Sequence, residues 1–279
     1  MILRPVAGVL RGSSPDELGA QIKNTFISSQ QAGDGFEPSW AVIARTQNAR
    51  ADRCLLIAQP DHARLAGEMA ARFRAEFLPA GAAECWKEIA VHDDGWLQFE
   101  AERNATAMPE VGDDGLPVSF VAVEIEQSLA AWRGSIDAAE KVSPLGAYMV
   151  SGHFMRLAKG RLAAHADDER REKLIREFVA AEENRQARVE PALGRSACEL
   201  REYVDLLQLC DTLSLYVCCG ATEAVEFPQR FGEQRIRMWF EDGVYISEPS
   251  LFGSDVLSFC VAARWFPSRE VGEVEVRIK

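Results

Sequence analysis

Histidine is scarce in this chain, four among 279 residues. Three of the four, His62, His92 and His153, fall in segments that read as helices or helix ends. His92 is followed directly by Asp93, Asp94, Gly95 and Trp96. An imidazole beside a carboxylate, with more of both far off in sequence, is a donor set for a divalent cation, and rigid helices fix such donors well. One His-Asp dipeptide carries little weight. Asp211 carries more, because it lies on a helical stripe formed by Leu200, Tyr203, Val204, Leu207, Cys210, Leu213 and Val217. A carboxylate buried there is costly unless it is paired or bound to a cation. An arginine or a backbone partner is the alternative. The candidate metal ligands are therefore His62, His92, Asp93 and Asp211.

The elements that must position these residues can be read from periodicity. Pro60 suits a first helical turn, Asp61 favours the positive helix end, and Leu65, Met69, Phe73 and Phe77 recur every four residues, which predicts a helix over 60–77 with His62 in its first turn. A second helix is expected over 82–91, ending at the His92-Asp93 pair, with Gly95 as its C-terminal stop. Asp94 reads equally as a residue that orients a ligand imidazole and as a helix-end cap. Trp96 reads as packing before it reads as a substrate platform. Residues 100–119 hold Asn104, Pro109, Gly112-Asp113-Asp114-Gly115 and Pro117, the texture of a long loop. Helices follow at about 120–140, 143–160, 168–188 and 196–219.

Strand signals lie at both ends. Residues 2–10 read as a strand, 15–31 as a capped helix, 33–38 as a turn, and Trp40–Thr46 with Arg53–Ala58 as a β-hairpin. Beyond Gly220, Gln234–Phe240, Val244–Ile246, Val256–Trp265 and Val271–Ile278 read as a β-meander with a Glu241-Asp242-Gly243 turn. The expected fold class is α+β: a mainly helical core over 54–219, with β elements 2–58 and 221–279 packed on it as one elaborated domain spanning 1–279. A small separate β domain is the alternative.

Composition narrows the partners. Hydrophobic residues make up 47% and charged residues 27%, which fits neither a disordered nor a fibrous chain. Lys and Arg total 31 against 43 Asp and Glu, a net charge of -12 that repels phosphate backbones, so no nucleic-acid partner is expected. Apolar runs fall far short of the roughly 20 residues that cross a bilayer, so no membrane association is expected. The first ten residues lack the apolar core of a signal peptide, and a cytoplasmic protein is the default. Seven cysteines, an odd number without a C-x-x-C pair, suit buried reduced thiols.

His, then His-Asp, then a distant Asp, each on or beside a helix, resembles the HD-domain superfamily of metal-dependent phosphohydrolases over about 54–219. More narrowly, Gln59-Pro60-Asp61-His62-Ala63, His92-Asp93-Asp94-Gly95-Trp96, Val150-Ser151-Gly152-His153 and Cys210-Asp211-Thr212-Leu213-Ser214-Leu215-Tyr216 resemble an uncharacterised bacterial HD-like family. The resemblance implies that His62, His92, Asp93 and Asp211 match the superfamily's metal ligands, with Mn, Mg, Zn or Fe as the ion. It also implies hydrolysis of a small phosphorylated or otherwise anionic metabolite by metal-activated water. In that scheme Asp93 ligates and accepts a proton, His153 is an outer ligand, supplies the leaving-group proton or contacts substrate, and Asp94 assists. Two-metal members carry two extra histidines before the final Asp. Here the pair would be His153 and His165, which one straight helix separates by about 18 Å at roughly 1.5 Å per residue. A break at Lys159-Gly160 would be needed to bring both to one centre. Two other functions stand beside hydrolysis: a non-haem iron oxygenase on the same scaffold, and a catalytically inactive ligand-binding or interaction protein. Self-association as a homo-oligomer is left open by the sequence.

Overall fold

The computed structural model describes residues 42–46, 54–101, 117, 123–164, 168–231 and 234–279. The expected strand at 2–10, the helix at 15–31, the turn at 33–38, nearly all of the 100–119 loop and His165 lie outside the described residues. Within them the fold is α+β, with helices in the middle of the chain and one mixed sheet built from both ends.

Strands β1 (Val42–Thr46) and β2 (Cys54–Ala58) pair antiparallel, as the hairpin pattern predicts. Helix α1 (Gln59–Ala70) begins directly after β2 with Pro60 in its first turn. It stops short of the expected Phe77. The Arg74 N–H bonds to the Leu251 carbonyl at 2.9 Å, so the chain turns away to a tertiary partner rather than continuing the helix. A 3₁₀ turn over Ala75–Phe77 follows, and Phe73 and Phe77 still reach the core from these turns.

Helix α2 (Trp86–Ala90) is shorter than predicted and gives way to turns, a 3₁₀ turn over Asp94–Trp96, and the short helix α3 (Leu97–Ala101). Gly95 is not a left-handed stop, since its φ is not positive; Val91 caps α2. Gly95 is instead a point of close approach. A Cβ there would stand 1.9 Å from the Ala131 carbonyl oxygen on the next helix. Gly67 plays the same part between α1 and α2, where a Cβ would meet the Ala90 Cβ at 2.6 Å. These two contacts seat the His92-Asp93 turn between its neighbours.

Four long helices complete the core: α4 (Ile125–Val142), α5 (Pro144–Ala164), α6 (Glu169–Leu193) and α7 (Ala197–Cys218). Their ends carry ordinary capping chemistry. Asp168 accepts the Arg171 N–H at the start of α6, Gly194 turns left-handed at its end, and Ser196 with Glu199 forms a capping box on α7.

The C-terminal strands are β3 (Val225–Phe231), β4 (Gln234–Glu241), β5 (Val244–Glu248), β6 (Leu257–Phe266) and β7 (Val271–Ile278). Sequence periodicity missed β3, whose Pro228 interrupts the pattern. The strands do not form a simple meander. Their order is β1-β2-β6-β7-β5-β4-β3, so β6 inserts beside the N-terminal hairpin, and β7 pairs parallel with β5. Phe227, Ile236, Met238, Val261 and Val276 from the sheet join the same buried cluster as Met69, Leu129, Phe154, Leu206 and Tyr216 from the helices. One continuous buried cluster therefore draws on both layers. Among the described residues, no helix is long and apolar enough to cross a membrane, and no disulfide joins any of the seven cysteines.

Candidate metal centre

His62 sits in the fourth position of α1, His92 and Asp93 in the turn after α2, His153 in the middle of α5, and Asp211 in the second half of α7. Packing of α1, α5 and α7 brings these distant positions together at one buried point. His62 and His92 are fully buried, and His153, Asp93 and Asp211 nearly so. One donor atom each from His62, His92 and Asp211 lie within 4.8 Å of one another. In a tetrahedral shell with bonds of about 2.1 Å, donor atoms stand roughly 3.4 Å apart. The His92 Nε2 to Asp211 Oδ1 separation of 3.3 Å matches that spacing. The group can hold a metal ion.

Asp93, in the turn after α2, lies beside this group. Its Oδ2 lies 2.8 Å from His62 Nε2 and 3.8 Å from His92 Nε2. The His62 and His92 rings meet edge to face at 5.3 Å between centroids, and His92 and His153 do so at 5.7 Å. His153 Nε2 is 3.9 Å from Asp211 Oδ2, while its Nδ1 is buried with no hydrogen-bond partner.

The tautomers of the two central imidazoles follow from their neighbours. The His92 Nδ1 faces the Ile89 carbonyl at 2.7 Å, and a carbonyl only accepts, so the proton is on Nδ1. The Ser214 hydroxyl donates to the Asp211 carbonyl at 2.8 Å. That leaves Ser214 Oγ as the acceptor for a proton on His62 Nδ1, 2.9 Å away. Both Nε2 atoms therefore turn toward carboxylate oxygens. A neutral imidazole presents a lone pair there, and a lone pair facing a carboxylate is stable only with a cation between them, either a proton or a metal.

The electrostatics carry the same tension. Burial alone would lower the His92 imidazole, but the Asp93 and Asp211 carboxylates and the Ile89 carbonyl outweigh it and push it up to about 9. Burial would raise Asp211, yet the three imidazoles hold it down to about 2. His153 behaves differently: its burial prevails over the pull of Asp211 and lowers it to about 4. It is a neutral ring at pH 7.

Asp94 departs from both roles expected of it. No hydrogen bond among the described residues joins it to a ligand imidazole, and it caps no helix. Its Oδ1 is buried without a partner, and burial raises its carboxyl despite the charges of Arg64 and His92. The imidazoles are oriented instead by Ile89 and Ser214, which sequence reasoning did not single out. Their spacing held a signal: Ile89 precedes His92, and Ser214 follows Asp211, by one helical turn each. Trp96 is buried against Val123, Ala131 and Phe99, the packing role expected of it.

No curated protein and no solved structure was found to match the chain. A family model does match, over residues 46–268, and that span contains every residue of the cluster. The chain thus belongs to the family described as protein of unknown function (DUF3891).

Proposed function

We propose that this protein is a metal-dependent hydrolase of the HD type, acting on a small phosphorylated or otherwise anionic metabolite. The observation that carries the reading is the pair of pinned imidazoles, whose Nε2 atoms converge on Asp93 and Asp211. The order His62, His92-Asp93, Asp211 along packed helices supports the HD assignment. His62, His92, Asp93 and Asp211 would hold the ion, with Mn, Mg, Zn or Fe all compatible with mixed nitrogen and oxygen donors.

A divalent ion bound there supplies Lewis-acid charge and lowers the pKa of water. The chain's own residues do the rest. Asp93 is placed to accept a proton from the attacking water as well as to ligate. His153, neutral at pH 7, suits a lone-pair role toward the ion or the substrate better than the proton-donor role that the sequence suggests for it. Asp94 is the better proton carrier for the leaving group, since burial raises its carboxyl and its Oδ1 has no partner. The three imidazoles are themselves buried. Among the described residues only His153 adds to the four-ligand set, so no observation favours an iron oxygenase over hydrolysis.

Metal analysis of untagged protein, before and after loading with Mn, Zn or Fe, tests the reading. Wild type should take up a stoichiometric ion, His92→Ala and Asp211→Ala should lose it, and His165→Ala should keep it. Uptake below about 0.2 equivalents after loading, where a preformed donor set should fill, would leave an inactive binding scaffold as the better account. A panel of phosphomonoesters and phosphodiesters with each ion then tests the reaction itself.

A further inference from the structure

Helices α5 and α7 meet at the site in two neighbouring contacts, a close approach without a hydrogen bond and an ion pair. The first is His153 Nε2 to Asp211 Oδ2 at 3.9 Å. In the second, Arg156 Nη1 donates to Asp205 Oδ1 at 2.6 Å and to Gln208 Oε1 at 2.8 Å. Arg156 follows His153 by three residues and Gln208 precedes Asp211 by three, so on each helix the second contact shares a face with the first. The two contacts differ in exposure. His153 and Asp211 are buried, whereas in the second only Gln208 is, and the Arg156 and Asp205 side chains are 29% and 44% exposed. The second contact is thus where the buried cluster meets solvent on the α5–α7 side.

We propose that Arg156 is the substrate's anion-binding residue, gripping a phosphoryl group beside the metal donors. The proposal rests on the metal-dependent reading above. Its basis is the way the guanidinium is held. Two acceptors fix one corner, Nη1, while Nε and Nη2 have no partner among the described residues. A planar fork anchored at one corner presents its remaining donors in a set orientation, and that geometry matches two oxygens of a phosphate. Charge makes such a residue necessary. The chain carries a net charge of -12, and Asp93 and Asp211 add carboxylates at the cluster itself, so an anionic substrate needs local cations beyond the ion.

Arg64 does not meet the same description. Its Nη1 is bound to Asp61 on its own helix and its side chain is 51% exposed, so it joins no element of the site to another. Among the described arginines, Arg156 combines an inter-helix anchor, a free edge and adjacency to a cluster residue. The competing account of Arg156 is a salt bridge that only ties α5 to α7. That account predicts a loss of stability and no effect on anion binding.

The test uses the full chain loaded with Mn²⁺ and inorganic phosphate as the probe, read by paramagnetic broadening of the phosphate ³¹P signal and by calorimetry. Wild type should bind phosphate saturably. Arg156→Gln should weaken phosphate binding by about tenfold or more while Mn²⁺ affinity stays within about twofold. Arg156→Lys, which keeps the charge and loses the fork, should recover only part of the affinity, and it stands in if the glutamine variant does not fold. Arg188→Gln, the same charge change on an exposed side chain of α6, should leave both affinities unchanged. Phosphate binding by Arg156→Gln or Arg156→Lys equal to wild type overturns the proposal, as does wild-type protein that holds Mn²⁺ but not phosphate. Stronger competition by acetate than by phosphate would overturn the phosphoryl assignment in favour of a carboxylate substrate. Failure of wild type to hold Mn²⁺, Zn²⁺ or Fe²⁺ after loading is a different result, and it overturns the metal reading itself.

Discussion

Replacing Gly95 with alanine should disturb stability and metal binding together, because this glycine sets how closely the His92-Asp93 turn approaches α4. The added Cβ would lie 1.9 Å from the Ala131 carbonyl oxygen, 2.4 Å from the Ser135 nitrogen and 2.8 Å from the Gly134 carbonyl carbon. A comfortable carbon–oxygen contact is about 3.3 Å, so the turn and the helix must part by more than about 1 Å. All three obstacles are backbone atoms of a packed helix, and none can rotate away. Overpacking typically costs about 1–3 kcal/mol, and with backbone on both sides the upper part of that range is expected, about 3 kcal/mol. The Gly95 N–H bond to Ser135 Oγ, 3.0 Å in the native chain, should be lost as the two segments separate. Metal donors tolerate displacements of only about 0.2 Å, so the shift should also weaken metal binding by at least about tenfold. Urea unfolding followed by circular dichroism gives the first quantity and metal titration the second. A destabilisation below about 0.5 kcal/mol would show that the turn does not sit against α4 as described, and the account of how the pair is seated would fall.

Three further outcomes follow from named contacts. Ser214→Ala removes the acceptor that fixes His62 Nδ1, so metal affinity should fall about 10- to 100-fold, and an unchanged affinity in titration would refute the orienting role. In metal-free protein His92 is raised to about 9 from its ordinary 6.5, so its contribution is fully present below pH 6.5 and is lost as the pH rises through 9. Asp211, lowered to about 2 from 3.8, contributes above pH 3.8 and loses that contribution as the pH falls through 2. Metal-free stability should therefore decline by about 3 kcal/mol between pH 6.5 and 9, a drop that a bound ion removes by replacing the proton; a flat melting profile would contradict it. Ser196→Ala breaks the α7 capping box and should cost about 1 kcal/mol in urea unfolding with metal affinity unchanged; a coupled loss of metal would mean that α7 moves as a unit.

Much of the helical layout was legible because amphipathic periodicity and caps are local. The boundaries that failed did so where a distant group intervened: α1 ends at Ala70 because Leu251 takes the Arg74 N–H, and β3 hid behind Pro228. Gly95 shows the same limit. A glycine after a short helix suggests a stop, but only the position of α4 reveals that it is there for want of a Cβ. The roles of Ile89 and Ser214 were equally hidden, since each depends on which way a carbonyl or side chain faces, along a turn or across a helix interface.

The sequence by itself determined the donor types and their order. Scarce histidines, an adjacent Asp and a carboxylate stranded in an apolar stripe are chemical anomalies that composition and periodicity expose without any fold. Tertiary structure decided convergence and protonation. Whether donors 149 residues apart meet depends on helix packing, His62 with Asp211 being the widest such pair. Which nitrogen of each ring carries its proton depends on an acceptor supplied across space or along a turn. The strand order was settled there too, because β2 and β6 pair across the whole helical segment that separates them in sequence. Local patterns are written within a few residues, whereas a metal site depends on distances that no local pattern fixes.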